Sequence, residues 1–233
     1  MKTTILFLFL GILTQINLSR ACTIIVAGKK ATTDGSVLVS HSDGGSDCRL
    51  RVIPSFTYPK GSMAPVYWGI QDIRPFDSLG EIIGYIPQVE KTFSYIHSAL
   101  PHINENQLAI GESTMSQRAE LKYNRLDGEQ IMTVEQAEIF ALQRCSTAVE
   151  AVKLIGYLME TYGFLPSCVD ESEALAIADP QEVWIFEVFS VGAWKKNSGK
   201  PGCIWAAKRV PDDHVAMVPN WSTLKEIDTT QAG

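Results

Sequence analysis

Cys22 follows Ser19-Arg20-Ala21, an apolar run from Ile5 to Leu13 and a charged Lys2 near the start. This is the three-part layout of a cleavable export signal, with small side chains at the first and third positions before the cut. Cleavage after Ala21 would make Cys22 the first residue of the mature chain. An N-terminal cysteine carries a thiol with an ordinary pKa of about 8.5 and an α-amine of about 7.7 to 8.0. The amine is partly neutral near physiological pH and close enough to take the thiol proton directly or through one water, so one residue supplies both nucleophile and base. Before the cut the same nitrogen is an amide and cannot accept a proton, so the site is silent until processing.

Such a site also needs a group that holds the ammonium and a donor for the oxyanion of a tetrahedral intermediate. Asp43, at the end of a strand that folds back beside Cys22, is a candidate for the first task; its ordinary reading is a turn or cap aspartate before Gly44-Gly45. Asn220, just past an apolar strand, is a candidate oxyanion donor. It reads equally as a loop asparagine or a glycan acceptor, because Asn220-Trp221-Ser222 fits the sequon. The four histidines His41, His97, His102 and His214 show no ligand spacing, so no metal and no cofactor is expected. The five cysteines Cys22, Cys48, Cys145, Cys168 and Cys203 leave an odd thiol. The other four allow up to two disulfides in three connectivities, with buried free thiols as the alternative.

The elements that must position these residues are legible from pattern. Thr23–Ala27 and Val37–His41 are β-branched or apolar runs around the turn-rich Thr33-Asp34-Gly35, which predicts a hairpin over 22–42. From Cys48 to about Gly80 the spacing predicts long loops around short strands. A strand is expected at Gln107–Gly111, then helices beginning after Thr133 and Thr147, each with Gln or Glu three residues on, the second closed by Gly163. Strands follow at Leu175–Ala178, Val183–Val188, Cys203–Ala207 and His214–Val218. Strands, two adjacent helices and strands again predict sheets packed against a helical layer.

The whole sequence has net charge −6, and loss of Lys2 and Arg20 with the first 21 residues moves it to −8. With no Lys/Arg block, nothing attracts nucleic acid or an anionic membrane surface. The apolar leader run is too short for a spanning helix, which needs roughly 20 residues, so no stable membrane insertion is expected after cleavage. The expected organisation is a cleaved signal peptide, 1–21, and a single domain over 22–233, secreted or periplasmic.

The segments Ala21-Cys22-Thr23, Gly28–Ser36, Ser40-His41-Ser42-Asp43, Asn104–Gln107, Gly111–Thr114, Ala176–Pro180 with Glu182–Glu187, and Arg209–Asp212 together resemble the dipeptidase A family of N-terminal-nucleophile cysteine hydrolases, relatives of choloylglycine hydrolase and penicillin V acylase. The resemblance implies an α+β, four-layer αββα fold, here incomplete at the C-terminus. It implies hydrolysis of small peptides, above all dipeptides, through a Cys22 thioester. It also implies Asp43 as partner of the Cys22 amine, Asn220 as oxyanion donor, and a backbone N–H from a turn at Glu112-Ser113. Many relatives carry Arg-Asn where this chain has Ser40-His41, which makes His41 a candidate substitute for the arginine. The competing readings are a choloylglycine-hydrolase-like acyl amidase and a lipid-anchored, non-catalytic protein acylated on Cys22.

Overall fold

Exposed and half-buried side chains alternate along Leu38–Ser42, the pattern of a sheet with one covered face. This segment, β2, pairs antiparallel with β1, Thr23–Ala27, Thr23 lying opposite Ser42 and Ala27 opposite Leu38. The computed structural model describes residues 22–42, 47–72, 79–122, 125–166 and 171–227. The leader 1–21, Asp43 and Cys168 lie outside the described residues. On its other side β1 pairs with β14, Val215–Val218, Ile24 opposite Val218, so β1 is the central strand of a three-stranded sheet.

A second sheet has seven strands, in the order β13-β12-β11-β8-β7-β6-β3. They are β3 (Arg51–Ile53), β6 (Tyr95–His97), β7 (Pro101–Asn104), β8 (Ala109–Met115), β11 (Ser172–Ala178), β12 (Val183–Phe189) and β13 (Ile204–Val210). Every pairing in it is antiparallel. Strands β4 (Met63–Trp68) and β5 (Glu81–Pro87) form a separate ribbon, and β9 (Met132–Thr133) pairs parallel with β10 (Phe164–Leu165).

Helices α1 (Val134–Arg144) and α2 (Ala148–Tyr162) start where the sequence places them. Thr147 and Glu150 form a complete capping box. Thr133 accepts from the Gln136 backbone N–H, but the Gln136 side chain accepts from the Tyr67 N–H at 3.0 Å and so ties α1 to β4 instead. The helices cover one face of the large sheet: Leu175, Ile177, Phe186 and Val188 pack with Phe140, Val152, Ile155 and Met159. The opposite face carries Ala174, Ala176 and Ala178 against Ile24, Val26 and Val218 of the small sheet. Small alanines there let the two sheets approach, and the fully buried Ile24 is worth roughly 1.5–3 kcal/mol over an exposed one.

The described residues thus form an α+β arrangement of three layers, helices, large sheet and small sheet. The outer face of the small sheet is apolar and about half exposed at Ile25 (50%), Leu38 (54%), Met217 (59%) and Val215 (63%). One element departs from expectation. The strand expected at Gln107–Gly111 runs from Ala109 to Met115, so Glu112 and Ser113 lie in β8, opposite Leu175 and Ala174, rather than in a turn. Their polar side chains hide the strand from a hydrophobic-pattern reading, yet both are buried.

Gly156 of α2 faces the Trp205 ring, where an added Cβ would sit 2.5 Å from Cε2. That ring stacks on Phe186 and donates from Nε1 to Glu160 at 2.7 Å, so it has little room to yield. Gly156→Ala would gain about 1 kcal/mol of helix propensity, but overpacking costs about 1–3 kcal/mol. Chemical denaturation is expected to show a net loss of about 1 kcal/mol, and a gain would mean that Trp205 swings aside freely.

Candidate active site

Cys22 is buried and sits directly ahead of β1. Its backbone nitrogen donates to Asn220 Oδ1 at 2.9 Å. Asn220 Nδ2 donates to the Thr114 carbonyl at 2.7 Å, and Ser113 Oγ reaches the Cys22 carbonyl at 3.5 Å. Two facts of topology produce this convergence. Strand β14 ends beside the start of β1, which delivers Asn220 to the Cys22 nitrogen, and β8 passes beneath β1, which delivers Ser113 and Thr114. Asn220 therefore accepts from the Cys22 nitrogen, spends one N–H on Thr114, and keeps a second N–H. The Ser222 hydroxyl of the sequon donates to Glu187 at 2.6 Å, so both polar groups of Asn220-Trp221-Ser222 are engaged within the fold.

His41 lies opposite Ile24 in β2 and faces β8, where Gly111 permits the close approach: a Cβ there would meet the His41 Cβ and Cγ at 3.3 Å. The Glu112 backbone N–H donates to His41 Nδ1 at 3.3 Å. That donor makes Nδ1 an acceptor, so neutral His41 carries its proton on Nε2. Nε2 is 3.1 Å from His102 Nδ1, and His102 Nε2 is 2.6 Å from Ser98 Oγ. One set of tautomers satisfies the whole row, with Nε2–H donating at each step. The Glu112 N–H is thus committed to His41, while the Ser113 hydroxyl addresses the Cys22 main chain. Sequence reading missed His102, which it took for a polar loop residue; five residues from His97, it gave no spacing signal that it would meet His41.

Beyond His102 lies a denser polar cluster. Asp47 is buried and takes Arg49 Nη2 at 2.6 Å and Arg51 Nη2 at 3.1 Å, so the guanidinium groups, Arg49 foremost, hold its carboxyl well below the usual carboxylate range. His97, opposite Arg51 in β6, is fully buried. Burial first, then the nearby charges of Arg51 and His102, lowers its pKa from 6.5 to about 4, so it is neutral at physiological pH. The thiols of Cys145 and Cys203 are free and buried, and burial pushes Cys145 up to about 12 and Cys203 higher still. Neither is a nucleophile at neutral pH.

Among the described residues, no group of three or more His, Cys, Asp or Glu is placed to hold a metal ion. Clefts of about 490 Å³ beside the hairpin turn at Asp34–Val39 and about 210 Å³ between β13 and β14 are not lined by Cys22. Of the candidate residues from sequence, Cys22, Asn220 and Ser113 converge, His41 and Glu112 meet each other one step along β8, and Asp43 lies outside the described residues.

The sequence matches Peptidase family C69 over residues 83–232. It is 26% identical over 212 residues to the probable dipeptidase B of Lactococcus lactis subsp. lactis (strain IL1403), covering 88% of this chain and 40% of that protein. It is 25% identical over 215 residues to dipeptidase A of Lactobacillus helveticus, covering 89% of this chain and 42% of that protein. A dipeptidase of Bifidobacterium longum (strain NCC 2705) is 23% identical over 228 residues, covering 91% of this chain and 39% of that protein. The chain therefore spans about two fifths of the length of these relatives.

The buried His97 gives the fold a pH dependence of definite sign. The unfolded chain takes up a proton near 6.5 and the folded one only near 4, so stability is fully present above 6.5 and is lost as pH falls toward 4. At pH 5 the gap of 1.5 units amounts to about 2 kcal/mol. Denaturation at pH 7 and pH 5 is expected to show the wild type losing about 2 kcal/mol more than His97→Gln. Equal losses would mean that His97 is not held neutral.

Proposed function

The chain belongs to Peptidase family C69, and from that premise we propose that it is a cysteine-type dipeptidase with Cys22 as an N-terminal nucleophile. The observation that carries the reading is the 2.9 Å contact between the Cys22 nitrogen and Asn220 Oδ1. An amide acceptor at that place serves an amine as well as it serves the amide present before cleavage, and it leaves the lone pair of the freed amine available to the thiol of the same residue. The relatives, a dipeptidase A and a probable dipeptidase B, supply the substrate class.

The chemistry proceeds in two halves. The Cys22 amine takes the thiol proton as sulfur attacks the scissile carbonyl carbon, and negative charge develops on the carbonyl oxygen. The second N–H of Asn220 is the candidate donor to that oxyanion. Collapse breaks the C–N bond, the ammonium returns its proton to the leaving amine, and a thioester remains on Cys22. Water, deprotonated by the same amine, then attacks the thioester and releases the acid and the thiol. Asp43 stabilises the ammonium in this scheme, as the resemblance implies, and the row from Glu112 through His41 to Ser98 ties β2 to the large sheet.

Two further parts of the reading stand with it. Residues 1–21 act as an export signal whose removal liberates the amine. The exposed apolar outer face of the small sheet, Ile25, Leu38, Val215 and Met217, is the surface that a fourth, helical layer would cover. Among the described residues no helix is long and apolar enough to cross a membrane.

Hydrolysis of dipeptides by the wild type and by Cys22→Ser tests the proposal. A hydroxyl is a far weaker nucleophile than a thiolate, and the variant is expected to lose at least about a hundredfold in kcat/KM. A serine variant within a few fold of wild type would remove Cys22 from the chemistry.

A further inference from the structure

Glu187 lies in β12 opposite Ala174 of β11, and Ala174 lies opposite Ser113 of β8. Residues directly opposite across a ladder share a face, so Ser113, Ala174 and Glu187 form one row turned toward the small sheet, where Ala174 packs. One end of the row meets Cys22, whose carbonyl faces the Ser113 hydroxyl. The other end meets the chain just beyond Asn220.

The Glu187 carboxylate is 1% exposed and accepts four hydrogen bonds. Oε1 takes the Thr223 N–H at 2.6 Å, the Thr223 hydroxyl at 3.1 Å and the Leu224 N–H at 3.1 Å, and Oε2 takes the Ser222 hydroxyl at 2.6 Å. Backbone N–H groups can only donate, so the site demands an acceptor, and bonds to a charged acceptor are about twice as strong as neutral ones. Asn220 is therefore suspended between two anchors. Val218 is held in the ladder opposite Ile24, residues 222–224 are held by Glu187, and between them the chain turns tightly, Trp221 N–H to the Pro219 carbonyl at 2.6 Å.

We propose that Glu187 is a positioning residue that holds Asn220 against the Cys22 nitrogen, an inference whose catalytic consequence rests on Cys22 being the nucleophile. Glu187 touches neither the thiol nor substrate. It fixes the backbone of the turn, and the turn fixes the amide that orients the amine.

The test pairs an activity readout with one that does not need activity. Hydrogen exchange of the Asn220 side-chain amide, read by NMR on 15N-asparagine-labelled protein, reports the contact with Thr114, and kcat and KM on a dipeptide report its consequence. Glu187→Leu is expected to speed Asn220 exchange and lower kcat by at least about tenfold each, with KM changed less than about threefold, the scale of losing a hydrogen bond to a charged group. Glu187→Gln keeps Oε1 as acceptor and offers an N–H to the Ser222 hydroxyl, so it is expected to restore both to within about threefold of wild type. If Glu187→Leu does not fold, the double variant Ser222→Ala with Thr223→Ala removes two of the four contacts and is expected to move both readouts in the same direction. Unchanged Asn220 exchange in the folded leucine variant, or in the double variant where leucine does not fold, overturns the inference. Faster exchange in a protein whose Cys22→Ser variant keeps full activity upholds the clamp and sinks only the reading of Cys22 as the nucleophile.

Discussion

The amide of Asn220 joins parts of the chain 198 residues apart, accepting from the Cys22 nitrogen while donating to the Thr114 carbonyl of the neighbouring sheet. A main-chain nitrogen at the head of a strand is ordinarily free to fray. Here it is fixed because β1 is the central strand of its sheet and because the two sheets close on a thin layer of alanines and branched aliphatics. The position of Cys22 is thus a consequence of sheet-on-sheet packing.

Two polar networks beside the small sheet pair donors with acceptors over several residues. The Glu112 N–H fixes the tautomer of His41, His41 fixes His102, and His102 reaches Ser98. Glu187 closes four donors of the turn after Asn220. Such satisfied networks specify one geometry, because each partner lost leaves a buried group without its bond at a cost of about 1–3 kcal/mol. Surface ion pairs play a smaller part: Arg209 with Glu182 and Asp212 ties β13 to the turn before β14, but it is more than one third exposed and contributes little.

Local signals carried the elements well. The hairpin at Cys22, both helix starts and the strand pairs around Asp179-Pro180-Gln181 were legible, because each rests on short-range chemistry: β-branched runs, capping threonines and a turn. Cys22 and Asn220 were singled out by short-range signals too, and the fold brings the two into contact. What could not be read was which long-range contacts would form. The pairing of His41 with His102 depends on β2 crossing the large sheet at Gly111, and nothing in the spacing of the four histidines encodes that crossing. Glu112 was read as part of a turn and Glu187 only as part of a strand, since a buried carboxylate betrays itself only through donors that arrive from distant segments. Asn220 was read as an oxyanion donor, and the fold adds that its oxygen accepts from the Cys22 nitrogen.

The central claim is that the nitrogen held by Asn220 becomes a free amine on the same residue as the attacking sulfur. N-terminal sequencing together with intact mass of the protein recovered from a secreting host addresses it most directly. The account requires a first residue at Cys22 with an unmodified thiol and amine; a chain that starts at any other residue, or a Cys22 carrying an acyl or diacylglyceryl group, would contradict it.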